Sequence, residues 1–95
     1  MKAITRPKAE KSIASIGAYI SEKGYPDTAE EYLDRMKRFA QSLAISPDKY
    51  PICRFAKFAK ENFHCATFEQ NYIFVYKIIH KQIVIYNVIH GKAMK

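Results

Sequence analysis

The sequence has no tryptophan, only three glycines and only two cysteines among its 95 residues. Cys53 and Cys65 form neither a C-x-x-C pair nor a cluster with metal-ligand spacing, so we expect two free thiols and neither a metal nor a cofactor. The sequence also lacks a glycine-rich phosphate loop, a recognisable Ser-His-Asp arrangement and an acidic metal cluster. The sequence therefore shows none of the motifs that identify these common classes of enzyme.

Long apolar runs are missing as well. No run approaches the roughly 20 residues that a membrane-spanning helix needs. The opening residues, Met1–Lys11, lack the apolar core of a secretory signal. The sequence therefore predicts a cytoplasmic protein with no membrane partner.

Acidic residues are scarce in the second half of the chain. Residues 1–48 carry eight Lys/Arg and seven Asp/Glu, a net charge of +1. Residues 49–95 carry eight Lys/Arg and only Glu61 and Glu69, a net charge of +6. An excess of this kind favours a polyanionic partner, either nucleic acid or an acidic protein segment. The alternative is a generally basic surface that is merely solvated.

The composition is that of a folded protein. With 48% hydrophobic and 14% aromatic residues, the chain fits a globular protein rather than a disordered one. Ninety-five residues suffice for one core and not for two, so residues 1–95 are predicted to form a single domain.

The first half of the chain predicts a strand and two helices. Lys2–Thr5 is the short strand, and Pro7 suits the first turn of the helix that follows. Gly24 is a plausible residue to end that helix, and Tyr25-Pro26-Asp27 is predicted as a turn. Both helices are indicated by apolar residues at helical spacing, namely Ala9, Ile13, Ile16 and Ile20, then Ala29, Tyr32, Leu33, Met36, Phe39, Ala40 and Leu43.

The second helix has its own start and stop signals. Thr28-Ala-Glu-Glu31 matches a capping box, in which Thr28 caps the helix and Glu31 reaches back. Ser46-Pro47 ends the helix, since the residue before a proline avoids the helical conformation. The short connection predicts an antiparallel helical hairpin.

The last third of the chain predicts three strands rich in β-branched and aromatic residues. They are residues 62–69, 72–80 and 82–90, with Gln70-Asn71 as a tight turn. Strict alternation places Tyr86, Val88 and His90 together on one face of the last strand. Residues 48–60 fit either a short basic helix or a strand and loop.

The predicted fold class is α+β, in the order β-α-α-β-β-β. A short N-terminal strand and a helical hairpin precede a three-stranded antiparallel sheet, and both helices pack on one face of that sheet.

Histidines at strand ends are the first candidates for chemistry. His90 ends a strand and is followed by Gly91 and Lys92, so it suits a general acid or base near neutral pH. His64, at the start of an earlier strand, is a second candidate catalytic residue or phosphate contact. The alternative for each is a structural or surface histidine, which we also expect for His80 at a hairpin.

Basic residues between positions 54 and 60 form the second candidate group. Arg54, Lys57 and Lys60, together with Lys92, could contact phosphates or stabilise developing negative charge. The alternative is an ordinary solvated face. Tyr86 could stack on a base or contact a target if exposed, and would be a core residue if buried.

The order of these segments resembles the RelE/ParE superfamily of toxins from bacterial type II toxin–antitoxin systems. The residues that carry the resemblance follow the leading strand and the helical hairpin in sequence: Leu43-Ala-Ile-Ser-Pro47, Tyr50-Pro51, Tyr72-Ile-Phe-Val-Tyr76-Lys-Ile and Ile83-Val-Ile-Tyr-Asn-Val-Ile-His90-Gly91. The resemblance covers nearly the whole chain.

The resemblance implies a growth-arresting plasmid-stabilisation toxin and an acidic-tailed cognate antitoxin that binds it as a hetero-oligomer. ParE-like members inhibit DNA gyrase. RelE-like members are metal-independent endoribonucleases that cleave mRNA on the ribosome, a role in which His90, Arg54 and His64 would be catalytic and Lys57, Lys60, Lys92 and Tyr86 would bind the substrate or target.

Departures from the nuclease pattern favour the ParE-like activity. Ile73 follows Tyr72, where the nuclease-type pattern often has a basic residue, and Lys92 is the nearest substitute for a final arginine. A third hypothesis is a small basic RNA-binding module. The double-stranded-RNA-binding fold, however, places its strands between its helices, whereas both helices come first here.

Overall fold

A computed structural model of the chain describes residues 2–23 and 26–94. Along the chain lie β1 (Lys2–Thr5), α1 (Pro7–Glu22), α2 (Pro26–Ile45), a 3₁₀ turn (Pro47–Lys49), α3 (Ala56–Ala59), β2 (His64–Phe68), β3 (Tyr72–Ile79), β4 (Gln82–His90) and a second 3₁₀ turn (Gly91–Met94). The predicted α+β class and the order β-α-α-β-β-β are confirmed. Within the described residues, no helix is both long and apolar enough to cross a membrane.

The sheet is mixed rather than wholly antiparallel, which corrects the predicted arrangement. Its four strands lie in the order β1-β4-β3-β2. β1 runs parallel to β4, from Lys2 opposite Gln82 to Thr5 opposite Ile85, whereas the other pairs are antiparallel. Alternation along a strand shows which residues share a face but not which strand lies beside it. The partner of β1 is consequently a tertiary property.

The helix boundaries agree with the sequence signals at some ends and not at others. Pro7 opens α1 as predicted, with Arg6 extended before it. α2 begins at Pro26, so the predicted capping box is wrong: Thr28 already lies inside the first turn. The predicted stop at Ser46-Pro47 is confirmed by the end of α2 at Ile45. The predicted helix end at Gly24 and the first residue of the predicted turn, Tyr25, lie outside the described residues. Pro26 and Asp27 of that turn are helical instead, so this part of the prediction is wrong.

Both helices cover the same face of the sheet and form the main core with it. Met36 and Leu43 of α2 are fully buried against Phe74 and Ile83 of the sheet. Phe39 packs between two strands, with its ring centroid 5.1 Å from that of Phe74 and 5.2 Å from that of Phe68. Tilted and edge-to-face aromatic pairs of this kind contribute about 0.5–1.5 kcal/mol each beyond simple burial.

A β-bulge in β4 interrupts the alternation of that strand. Val75 lies opposite Asn87, but the next residue, Tyr76, lies opposite Ile85, so Tyr86 has no partner on β3. One extra residue moves every later side chain to the other face. Val88 and His90 therefore join Ile85 on the helix-covered face, and their predicted placement with Tyr86 is wrong.

Asn87 stabilises the bulge and connects it to α1. Its side-chain Oδ1 accepts from the backbone N–H of Val88 at 2.9 Å and from the Ser12 hydroxyl at 2.7 Å. The side chain thus gives a partner to a backbone donor beside the irregular pairing, and it fixes α1 over this end of β4.

Residues 50–63 cross to the far face of the sheet, which the helices leave uncovered. Ile52 forms a bridge to His64 beside β2, and the short helix α3 follows. Both conformations considered for this segment therefore occur in it. Its buried residues Cys53 and Phe63 form a second core with Val75.

Cys53 and Cys65 are joined by a disulfide, with their Cα atoms 4.9 Å apart. The expectation of two free thiols is wrong because the bridge at Ile52 sets the segment directly beside β2. Spacing along the sequence carries no sign of that proximity.

Both hairpins turn through residues with positive φ that are not glycine. His80 and Lys81 have φ of 49° and 61° between β3 and β4, and Glu69 and Gln70 have φ of 47° and 64° between β2 and β3. The earlier turn thus begins one residue before the predicted Gln70-Asn71, and the Asn71 N–H donates to the Phe68 carbonyl at 3.1 Å. Residues other than glycine pay about 1–2 kcal/mol for this conformation.

We expect Lys81→Gly to raise the free energy of unfolding by about 0.5–1 kcal/mol, because relief of the left-handed conformation exceeds the gain in unfolded-chain entropy. Urea denaturation measures the change. Lys81→Ala is the matched control, since it removes the same side chain but keeps the penalty. Equal stabilisation by both variants would contradict this explanation.

Gly17 is a point of close approach between α1 and α2. A Cβ atom at this position would lie 2.8 Å from Cδ1 and 3.3 Å from Cγ of Leu33. Gly17 is buried, so a larger side chain has no outward route and must displace Leu33 or separate the helices.

We expect Gly17→Val to lower the free energy of unfolding by about 2–3 kcal/mol through overpacking. In Gly17→Ala the displacement of one leucine methyl is offset by a gain in helix propensity of about 1 kcal/mol, so that variant should stay near wild type. Thermal denaturation of the two variants, compared with wild type, tests both expectations. A neutral valine variant would show that the helices are not in close contact here.

Candidate functional site

His90 lies on the helix-covered face, at the mouth of a cavity between α1 and the sheet. The cavity has a volume of about 300 Å³ and is lined by Ser15, Ile16, Tyr19, Tyr72 and His90. The His90 ring meets the Tyr72 ring edge to face, with centroids 5.2 Å apart. Its Nδ1 accepts from the Lys92 backbone N–H at 3.2 Å. In the neutral ring the proton is therefore on Nε2, which is left as the hydrogen-bond donor of this side chain.

His64 is held as a structural residue. Its ring stacks on that of Tyr76, with centroids 5.1 Å apart and planes inclined by 18°. Its Nδ1 lies 2.8 Å from the Tyr50 carbonyl oxygen. A carbonyl only accepts, so Nδ1 carries the proton in the neutral ring. The two contacts tie residue 50 to the sheet.

Tyr76 holds the same corner from within the core. Its side chain is fully buried, and its hydroxyl donates to the Pro47 carbonyl at 2.9 Å. Burial, with smaller contributions from Tyr50 and Asp48, raises the pKa of Tyr76 to about 12. His64 and Tyr76 together fasten the turn after α2 against β2 and β3.

The two candidate histidines do not meet. His64 lies opposite Tyr76 on β2, and His90 lies opposite Tyr72 on β4, with β3 between them. Four residues along a strand span about 13 Å, to which the width of the intervening strand is added. Arg54 lines a different cavity, beside the far-face residues Cys65, Thr67 and Ile73. The three predicted catalytic residues thus occupy three separate places.

On the far face of the sheet, cationic side chains lie over aromatic rings. The guanidinium of Arg6 lies 4.9 Å from the ring centroid of Tyr86, and the Lys77 ammonium lies 5.7 Å from the same centroid. Lys77 also lies 4.4 Å from the ring centroid of Phe63. Phe63 and Tyr86 meet edge to face at 4.9 Å. Each cation–π contact is worth roughly 0.5–1 kcal/mol where solvent reaches it.

The segment of residues 50–63 extends this surface. Phe58 packs edge to face on Phe63 with centroids 5.8 Å apart, and the Lys57 ammonium lies 5.5 Å from the Phe58 ring centroid. We call these residues the basic aromatic face; they are Arg6, Lys57, Phe58, Phe63, Lys77 and Tyr86. Lys60 and Lys92 are also exposed. Lys92 is two residues from His90 and is therefore not counted in the basic aromatic face.

Of the basic aromatic face, Lys57 and Tyr86 were named from the sequence as candidate binding residues, and Arg6, Phe58, Phe63 and Lys77 were not. Arg6 reaches Tyr86 because its backbone N–H donates to the Ile85 carbonyl at 3.0 Å, which extends the pairing of β1 with β4 by one residue. No local pattern links residues 6 and 86. Lys77 could have been found from the sequence, because a single lysine within an otherwise apolar strand is unusual and marks a candidate functional residue.

We expect Tyr76→Phe to lower the free energy of unfolding by about 1 kcal/mol near neutral pH through loss of the bond to Pro47. The unfolded chain loses the tyrosine proton near pH 10, before the folded protein does. The stability that protonated Tyr76 contributes is therefore fully present below pH 10, and roughly 2 kcal/mol of it is lost as the pH rises to about 12, the pKa of Tyr76 in the folded protein.

The phenylalanine variant should lose that part of the alkaline decline, which denaturation at stepped pH measures. Tyr19→Phe is the control, because Tyr19 is 58% exposed. An equal alkaline decline in Tyr76→Phe and wild type would contradict the assignment.

Comparison with known families gives one result. A family model described as the ParE toxin of the type II toxin–antitoxin system parDE matches residues 3–94. No curated protein matches the chain.

Proposed function

Because this chain belongs to the ParE toxin family of type II toxin–antitoxin systems, we propose that it arrests growth by binding and blocking an essential protein, DNA gyrase. Membership of the family implies a cognate antitoxin as a partner. The acidic character of that antitoxin's tail is part of the proposal, and the net charge of +6 in residues 49–95 supports it.

The separation of the candidate catalytic groups is the observation that carries this proposal. Cleavage of RNA needs a base, an acid and a cation positioned around one phosphate. His64 is tied to Tyr50, His90 lies in another cavity, and Arg54 is on the other face of the sheet. Binding a protein target needs only a complementary surface, which requires no such convergence.

The basic aromatic face supplies such a surface. Aromatic and arginine side chains are the commonest centres of binding energy at protein interfaces. Arg6, Lys77 and Tyr86 combine these groups on a rigid sheet, with Phe63 packed beneath them. Preorganised rings and cations lose little freedom on binding. We expect this face to contact an acidic region of the target.

Purified protein should inhibit the supercoiling of relaxed plasmid by gyrase. Arg6→Ala and Lys77→Ala should each raise the concentration for half inhibition by on the order of tenfold. Lys11→Ala, which removes one exposed charge from α1, is the matched control and should act like wild type. Full supercoiling at a large excess of protein would overturn the gyrase proposal.

A second candidate is the ribosome-dependent cleavage of mRNA, which the environment of His90 favours. His90 lines this cavity together with Ser15, Tyr19 and Tyr72, and a histidine beside an open cavity can take part in proton transfer near neutral pH. Codon-phased cuts in primer extension after induction, lost in His90→Ala, would establish this activity. Uncut mRNA in growth-arrested cells would exclude it.

A further inference from the structure

The disulfide between Cys53 and Cys65 lies in the wall of a cavity of about 490 Å³. This cavity opens where residues 50–55 pass the edge of β2. Its volume falls within the usual range for sites that bind small molecules. A disulfide that lines an open cavity differs from one enclosed in a core, because a thiol can reach it.

The two half-cystines are unequally accessible. Cys53 is only 3% exposed and belongs to the second core with Phe63 and Val75. Cys65 is half-buried, on the face of β2 that meets the cavity. Exchange proceeds by attack of a thiolate on one sulfur while the other leaves. Both half-cystines line the cavity, and the greater exposure of Cys65 favours attack on its sulfur, with Cys53 as the leaving sulfur.

The lining of the cavity indicates which thiols it suits. Arg54 contributes a permanent positive charge, and Phe55 and Ile73 contribute apolar surface. A guanidinium attracts carboxylates and can pair with them bidentately. A small thiol that bears carboxylate groups is consequently better matched to this site than a neutral or cationic one.

The disulfide closes the segment that carries part of the basic aromatic face. Between the two cysteines the chain forms only a four-residue helix, α3. The backbone bonds at the ends of this loop are few: Cys53 N–H to the Phe63 carbonyl at 2.8 Å, and Cys65 N–H to the Pro51 carbonyl at 3.3 Å. The other backbone hydrogen bonds of the loop are local ones around α3, so the disulfide adds a covalent restraint that joins the two ends of the loop.

We propose that the Cys53–Cys65 disulfide is an exchangeable clasp, opened by small anionic thiols through this cavity, that controls the order of residues 53–63. A thiolate attacks Sγ of Cys65, the S–S bond breaks, and Sγ of Cys53 leaves as a thiolate and takes a proton. A second thiol attacks the outer sulfur of the mixed disulfide and releases Cys65. The balance is one protein disulfide and two thiols in, and two protein thiols and one small disulfide out.

The choice of thiol is tested on the folded protein with glutathione and cysteamine, followed by alkylation and mass spectrometry. Each rate is divided by the rate of the same thiol with an unstructured peptide disulfide. Glutathione should then be favoured by about tenfold over cysteamine. Arg54→Ala should abolish the preference, whereas Arg38→Ala, which removes an exposed cation from α2, should keep it. Equal normalised rates in wild type, or reduction only as fast as global unfolding, would overturn the proposal.

The control of order is tested by amide hydrogen exchange before and after reduction. Closure of a loop of this size corresponds to a factor on the order of 100 in the opening equilibrium. Residues 53–63 should therefore exchange up to that much faster after reduction, while α1 and α2 keep their protection. The Cys53→Ala/Cys65→Ala double variant should show the same pattern without any reductant. Unchanged exchange of residues 53–63 in both samples would show that the disulfide is not a clasp.

Discussion

The bulge in β4 is the constraint on which the functional surfaces depend. Because Tyr86 has no partner on β3, it lies on the far face with Lys77 and Arg6, while Val88 and His90 return to the helix-covered face. Asn87 fixes this register through Val88 and Ser12. Without the extra residue, His90 and Tyr86 would share one face and the helix-side cavity would lose its histidine. A single register shift thus separates the acid–base candidate from the cations.

The two faces of the sheet consequently have different roles. On one face the helices and the aromatic rings of α2 form the main core, and His64 and Tyr76 fasten the turn that follows. On the other face residues 50–63 form a second core, held by a disulfide and bordered by lysine and arginine. The face that helices leave free carries both the proposed target contact and the proposed clasp. The main core and the proposed binding surface therefore lie on opposite faces of the sheet, and Phe63 belongs to both the second core and the binding surface.

Most of the fold could be predicted, because helix and strand leave local periodicities in the sequence. The positions of α1, α2 and β2 to β4 follow from apolar spacing, and the stop at Ser46-Pro47 follows from the chemistry of proline. The predictions for the start of α2 and for the first hairpin turn were wrong. The prediction for the segment before β2 left two conformations open. At these places neighbours distant in sequence decide the backbone, as Ile52 does by joining His64.

The sequence by itself determined the α+β order, the uneven charge and the family resemblance, since composition and periodicity are properties of the chain alone. Only the tertiary structure decided which residues meet. The parallel pairing of β1 with β4 brings Arg6 to Tyr86, and the bridge beside β2 brings Cys53 to Cys65. The physical reason is that contacts between distant residues are selected by the packing of whole elements, and no local pattern records them.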